Sequence, residues 1–134
     1  PNADELASLT GADGAAMEAA AAAGDPTAAV DAAAALAGRT GGSVLTTLGG
    51  AGALLTTPDG TWRATAPQVQ VRSTVGAGDC SLAGCLIAQQ RGAGPEEVLR
   101  TAVAYGSAAA ALPGTTPPSP AHLDLAGVQI QRLS

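Results

Sequence analysis

Alanine fills 33 of the 134 positions, while Phe is absent and Trp and Tyr occur once each. This imbalance limits the possible folds more than any motif does. Without ring-sized side chains to fill gaps, apolar burial has to come from Ala, Leu and Val. Helices can bury Ala only by approaching one another closely. Apolar residues still make up 46% of the chain and mean hydropathy is +0.23, which suits a packed domain of ordinary size and not a disordered chain. Eighteen Gly and nine Pro call for many turns.

Charge removes several function classes. The net charge is −5, and all six basic residues are Arg, scattered along the chain. A nucleic-acid groove or an anionic-membrane patch needs clustered cations, so neither partner is expected. With no Lys, a Gly-Lys-[Ser/Thr] phosphate loop cannot be built. No apolar run approaches the roughly 20 residues of a membrane span. Cys80 and Cys85 fall about 140° apart on a helix at 100° per residue, a poor disulfide geometry. Both are expected as reduced core thiols in a cytoplasmic protein.

The expected order of elements follows from caps and periodicity. Asn2 to Thr10 reads as a short helix with Asn2 as N-cap, Glu5 at N3 and Gly11 as its end. Gly14 to Gly24 is Ala-rich with weak patterning. Asp25-Pro26 opens a helix, with Asp25 as N-cap, whose apolar face is Val30, Ala33, Leu36 and Ala37, closing at Gly38. Ser43–Leu48, Ala53–Thr57 and Thr61–Thr65 suit strands, and connections so short make neighbours antiparallel. Asp79 to about Gln90 reads as a helix with Leu82, Ala83, Leu86 and Ile87 as its packing face. A second long helix runs from Pro95 to about Leu112, with Glu96 and Glu97 where the helix dipole favours them. Val128–Gln131 alternates like a terminal strand. The sum is an α/β layer fold.

The sharpest local signal is Ser73-Thr74-Val75-Gly76-Ala77-Gly78-Asp79 running into a helix. Glycines let backbone approach a ligand closely, and free N–H groups at a helix start attract anions. A carboxylate placed there opposes a phosphate unless it acts, for example by taking a proton from a hydroxyl as a phosphoryl group moves. The alternative is that Asp79 merely caps the helix. His122 in its Pro-rich loop reads as a surface residue, Trp62 as packing, and Arg72 as either a phosphate contact or a solvated ion pair.

Thr74-Val75-Gly76-Ala77-Gly78-Asp79, followed by small and apolar residues through Ala83-Gly84, resembles the C-terminal signature of the ribokinase-like (PfkB) carbohydrate kinases. Pro1-Asn2-Ala3-Asp4-Glu5-Leu6 resembles that family's Pro-Asn-x-x-Glu segment. Thr47-Leu48-Gly49-Gly50-Ala51-Gly52-Ala53 resembles its nucleotide loop. The three occur in the family's order and cover nearly the whole chain. Val71–Thr74 and Leu112–Thr115 are most similar to the branch that phosphorylates fructose 1-phosphate.

The resemblance implies the C-terminal portion of a three-layer ribokinase-like fold (Rossmann-like), here over residues 1–134. It implies transfer from ATP to a phosphosugar hydroxyl, fructose 1-phosphate becoming fructose 1,6-bisphosphate. Asp79 would be the base, and Gly76, Ala77 and Gly78 the anion hole. Thr47, Leu48, Gly49, Gly50, Ala51 and Gly52 would line the ATP site, with Val103 and Ser107 near the adenine. Asn2 and Glu5 would help place Mg²⁺ through water, although a plain capping box explains the same pair. Ser73, Val75, Ala109 and Gly114 correspond to a monovalent-cation (K⁺) loop. Cys80 departs from the usual Ser, and a thiol is the weaker hydrogen-bond donor.

The family's sugar-binding half and lid have no counterpart in the sequence. The chain therefore reads as a fragment that is inactive alone, with a catalytically idle nucleotide-binding remnant as the alternative. A homodimer is expected of the full-length protein, and an uncovered apolar edge is expected of the fragment.

Overall fold

The computed structural model describes residues 1–134 and divides into two compact units, Pro1–Arg63 with Gln131–Ser134, and Ala64–Ile130. Four strands form one sheet in the order β1-β2-β3-β4: Val44–Thr47, Ala53–Thr57, Gly60–Thr65 and Gln129–Arg132.

The first unit holds three helices, α1 (Ala3–Thr10), α2 (Gly14–Ala22) and α3 (Thr27–Thr40). Helix α1 starts on the expected capping box: Asn2 Oδ1 accepts the Glu5 N–H at 2.8 Å, and Glu5 Oε2 accepts the Asn2 N–H at 2.9 Å. The weakly patterned stretch is a helix as well, since Asp13 caps it through the Ala16 N–H at 3.0 Å and Ala is the strongest helix former. Helix α3 has Pro26, not the expected Asp25, as its N-cap; from one residue further out the Asp25 carboxylate instead accepts the Thr27 N–H at 3.0 Å and is held below its ordinary pKa by the Thr27 side chain first and the amide second. It continues past Gly38 and ends at Gly41, the residue in the left-handed conformation. The core assembles Leu6, Met17, Leu36, Leu48 and Leu54 with alanines from all three helices. Strands β1 and β2 pair antiparallel with Thr47 opposite Ala53, as the short connection requires. Trp62 is buried, with the Arg132 guanidinium 5.1 Å from the ring centre, so packing is its observed role.

The second unit is built on α4 (Ala77–Gln90) and α5 (Pro95–Ala111). Two glycines set their approach. A Cβ on Gly84 would lie 2.9 Å from the Thr101 carbonyl oxygen and 3.1 Å from Tyr105 Cβ, and a Cβ on Gly106 would collide with Ser81 Oγ. The packing face of α4 is therefore Ser81, Gly84, Cys85 and Ala88. The expected face of Leu82, Ala83, Leu86 and Ile87 is not the one α5 covers: Leu82, Ala83 and Leu86 are exposed and Ile87 is half-buried. In an Ala-rich pair, the smallest side chains permit the closest contact, so size and not hydropathy selects the interface. Cys80 and Cys85 are both free thiols, as expected, but only Cys85 is a core residue; Cys80, in the first turns of α4, is half-buried.

Gly84→Ala is expected to destabilise the protein by about 1–3 kcal/mol through overpacking, outweighing the roughly 1 kcal/mol that Ala gains over Gly in a helix. Gly106→Ala should cost less, because Ser81 Oγ can rotate whereas the Thr101 carbonyl cannot. Urea denaturation checks the order, and equal or stabilising effects would refute it.

Burial raises the Cys85 thiol above its ordinary pKa. The folded state therefore holds the proton more tightly than the unfolded chain. Stability should be flat below the unfolded thiol value of about 8.5 and fall as pH rises from there through the folded value. Melting temperatures of the protein and of Cys85→Ala compared between pH 7 and 10 check this; parallel curves would contradict it.

Candidate active site

Each unit carries one turn built from residues with no side chain to obstruct a ligand. In the first unit the chain leaves β1 through a single 3-10 turn, Gly49–Ala51, and enters β2. Leu48 is fully buried and anchors the turn. Its N–H donates to the Gly52 carbonyl at 2.8 Å, and its own carbonyl accepts the Ala51 N–H at 3.0 Å. The Gly52 N–H donates to Gly49. The amides of Gly49 and Gly50 make no such bond and both residues are exposed. Gly49 has φ +54°, and a Cβ there would meet the Glu18 carboxylate. Glu18 of α2 thus stands over the turn. Sequence reading did not find it, because α2 had no pattern to assign it a face. Thr47, half-buried at the strand end, donates its N–H to the Pro1 carbonyl at 2.9 Å.

In the second unit the Gly-rich run enters α4 two residues earlier than expected. Gly76 is the N-cap at φ +80°, a conformation that favours glycine, so Ala77, Gly78 and Asp79 occupy the first turn. Of the amides at this end, Ala77 donates to Thr74 at 3.3 Å and Cys80 to Gly76 at 2.9 Å. Those of Gly78 and Asp79 lack a helical partner, as the first turn of any helix leaves them. The helix has no side-chain cap. Asp79 is exposed and makes no side-chain cap bond; it stands at N3 as the acidic residue of the first turn, where the helix dipole favours it. Gly106 of α5 seats against Ser81, and a Cβ on it would lie 3.4 Å from the Ala77 carbonyl oxygen, so the α4–α5 contact positions this helix start.

The remaining expected positions are dispersed. Asn2 and Glu5 hold each other in the capping box, and no group of three or more His, Cys, Asp and Glu residues could hold a metal ion. Around the suggested cation loop, Ser73 Oγ accepts the Val75 N–H at 3.3 Å, the Ala109 carbonyl accepts the Leu112 N–H at 3.1 Å, and Gly114 has φ +61°. Arg72 forms no ion pair; the chain's salt bridge is Arg100–Glu97 at 3.4 Å. Val103 is packed into the interior.

Ser107 lines a cavity of about 130 Å³ together with Ala104, Ala108, Pro67, His122 and Asp124. His122 is exposed, as expected, yet it belongs to this wall. Its Nδ1 accepts the Ser119 N–H at 2.9 Å, which leaves Nε2 to carry the proton of the neutral ring. Asp124 Oδ1 accepts the Gly127 N–H at 2.9 Å. The Ser119-Pro120-Ala121-His122 spacing was the available signal, a capping-box pattern on a short 3-10 turn.

No helix is long and apolar enough to cross a membrane. Comparison with known proteins gives one family. The chain is 41% identical over 75 residues to 1-phosphofructokinase of Haloferax volcanii, a match covering 56% of this chain and 25% of that protein. Phosphofructokinase-2 from Escherichia coli, solved with substrates and products, superposes with a TM-score of 0.77 at 30% identity, covering 91% of this chain and 37% of that one. The same enzyme solved with potassium gives 0.78 at 29% identity, over 91% and 37%. The chain therefore spans well under half the length of these relatives. The expected α/β fold of ribokinase-like kinases is the observed one. Residues 1–122 match the model of the pfkB family of carbohydrate kinases, and the chain belongs to that family.

Proposed function

We propose that this chain supplies the nucleotide-binding and catalytic portion of a kinase that transfers the γ-phosphoryl group of ATP to a phosphosugar hydroxyl. Fructose 1-phosphate is the acceptor, and fructose 1,6-bisphosphate the product. The observation that carries the reading is the start of α4, where the free amides of Gly78 and Asp79 adjoin an exposed carboxylate bound to nothing. In the proposed reaction Asp79 accepts the hydroxyl proton as the sugar oxygen bonds to the γ-phosphorus, and the bond from that phosphorus to the bridging oxygen breaks to release ADP. Gly76, Ala77 and Gly78 present backbone to the transferring group, whose negative charge the helix start favours.

In the first unit, the turn from Thr47 to Gly52 offers the Gly49 and Gly50 amides to the nucleotide. In the second unit, the Ser107 cavity offers alanine methyls and the polar atoms of His122 and Asp124 to a base; Val103 would support it from behind. Mg²⁺, when bound, neutralises phosphate oxygens. The residues fit it only as an outer contact, because Glu5 keeps one carboxylate oxygen outside the capping box and no acidic cluster accompanies it; such a site suits an ion that retains its waters. The carbonyls at Ser73, Val75, Ala109 and Gly114 are the proposed K⁺ contacts. A cytoplasmic location and assembly as a homodimer belong to the same reading; phosphofructokinase-2 of Escherichia coli has been solved as a tetramer in an inhibited form.

A nucleotide-binding module without turnover is the second reading, favoured by the 37% share of phosphofructokinase-2 that the chain spans. The deciding experiment assays ATP-dependent phosphorylation of fructose 1-phosphate, fructose 6-phosphate and tagatose 6-phosphate. The chain is tested alone and co-expressed with the unmatched part of phosphofructokinase-2. Turnover is expected only in the second arrangement. Asp79→Asn should lower kcat by at least 10²-fold while leaving binding of a fluorescent ATP analogue within about twofold. Full turnover in Asp79→Asn sinks the base assignment, and nucleotide binding without turnover in any arrangement selects the second reading.

Glu5→Gln keeps the capping-box acceptor but removes the charge. It is expected to leave the melting temperature unchanged and raise the Mg²⁺ concentration needed for half-maximal activity. An unchanged Mg²⁺ dependence would leave Glu5 with its capping role alone.

A further inference from the structure

The cavity beside Ser107, within the second unit, holds two ionisable side chains that phosphoryl transfer does not use. Its apolar wall comes from Ala104, Ala108 and Ala111, which share one face of α5, and from Pro67. His122 and Asp124 complete the lining of this space of about 130 Å³. A recess walled by methyls with a few fixed polar atoms accepts a flat ring and orients it through those atoms.

Backbone bonds fix the role of each polar atom. The Ser119 N–H can only donate, so His122 Nδ1 accepts it at 2.9 Å and the neutral ring carries its proton on Nε2 as a donor. Asp124 Oδ1 accepts the Gly127 N–H at 2.9 Å, which leaves Oδ2 as an acceptor. That oxygen lies against Gly127, where a Cβ would collide with it and stand 2.9 Å from Pro67 Cβ. The loop carrying Asp124 is strapped to α5 by Arg100. Its Nη1 donates to the Val128 carbonyl at 2.6 Å and the Leu125 carbonyl at 3.3 Å, and Glu97 stands 3.4 Å from its Nε.

We propose that Asp124 and His122 read the identity of the nucleotide base and select adenine, with Arg100 as the positioning residue that holds Asp124 in place. Adenine sets an amine that donates beside a ring nitrogen that accepts. Asp124 Oδ2 accepts from the amine, and His122 Nε2–H donates to the ring nitrogen. Guanine carries an acceptor oxygen where adenine has the amine. To meet the same pair it must turn its N1–H and N2 amine toward the carboxylate, and those two donors need two oxygens. Gly127 already occupies one, so a guanine donor is left unpaired, which carries a desolvation cost. The proposal rests on the nucleotide-binding reading above and adds the residues that set its base preference.

The test displaces a fluorescent ATP analogue from the full chain with ATP, with GTP and with purine riboside triphosphate, which lacks the amine. The unmodified chain should prefer ATP over each of the other two by about tenfold. In Asp124→Asn the side-chain oxygen still serves Gly127, so an amide NH₂ replaces Oδ2 and faces the adenine amine as a second donor. That variant should lose the preference for ATP over the amine-free analogue and gain GTP relative to ATP. His122→Phe should weaken ATP and the amine-free analogue alike, because both keep the ring nitrogens. Arg100→Met should bring the ratio of ATP to the amine-free analogue toward one, whereas Glu97→Gln, which leaves both carbonyl bonds in place, should not change it. A partly unfolded variant weakens every nucleotide equally, so these ratios report the cavity and not the fold. Equal displacement by all three nucleotides, or an Asp124→Asn variant with the ratios of the unmodified chain, overturns the base assignment alone. If no nucleotide displaces the analogue, the nucleotide-binding reading falls and the base assignment falls with it. A preference for ATP without turnover in any arrangement supports the base assignment and removes the kinase one.

Discussion

Close contact between α4 and α5 is the constraint on which the second unit depends. The contact exists because Gly84 and Gly106 leave no side chain between the helices. In a chain with no Phe, interior density comes from backbone approaching backbone, and the dispersion gained is the sum of many small contacts. The same contact fixes the direction in which the first turn of α4 points. The free amides and the Asp79 carboxylate are thus oriented by packing some distance along the helix, and by no cap or ion pair of their own.

The first unit reaches its order by a different route, through local hydrogen bonds. The capping box at Asn2 and the Asp13 cap each start a helix, Asp25 holds the first amide of α3, and the alanines then pack around a few leucines and Met17. The glycine turn between β1 and β2 is held by its own backbone bonds around the buried Leu48. A rigid turn that leaves two adjacent amides free is a preorganised surface, because no bond has to break before a ligand is met.

What the sequence made legible was mostly what local chemistry decides. The Asn2–Glu5 box, the antiparallel β1–β2 pairing, the span of α5 and the helix beginning at the glycine run all follow from caps, turn residues and chain length. The motifs around Thr47 and Asp79 were readable because clustered glycines at a strand end and a helix start leave the backbone open to close approach. The orientation of α4 was not readable. Hydropathy ranks Leu82 and Leu86 above Gly84 and Ser81, but closeness of approach ranks them the other way, and only three-dimensional packing reveals which ranking governs. The place of Glu18 over Gly49 and of His122 in a cavity wall depends on elements distant in sequence, α2 against a turn and a 3-10 segment against α5, which no local pattern encodes.

The head of α4 has one further consequence. Main-chain N–H groups have no protonation equilibrium in the range where proteins survive, and neither acetylation nor methylation reaches them as it reaches a lysine. An anion held there is held by a grip that acidity and side-chain chemistry leave untouched. Any response of such binding to pH must therefore come from the anion itself or from the single carboxylate next to it.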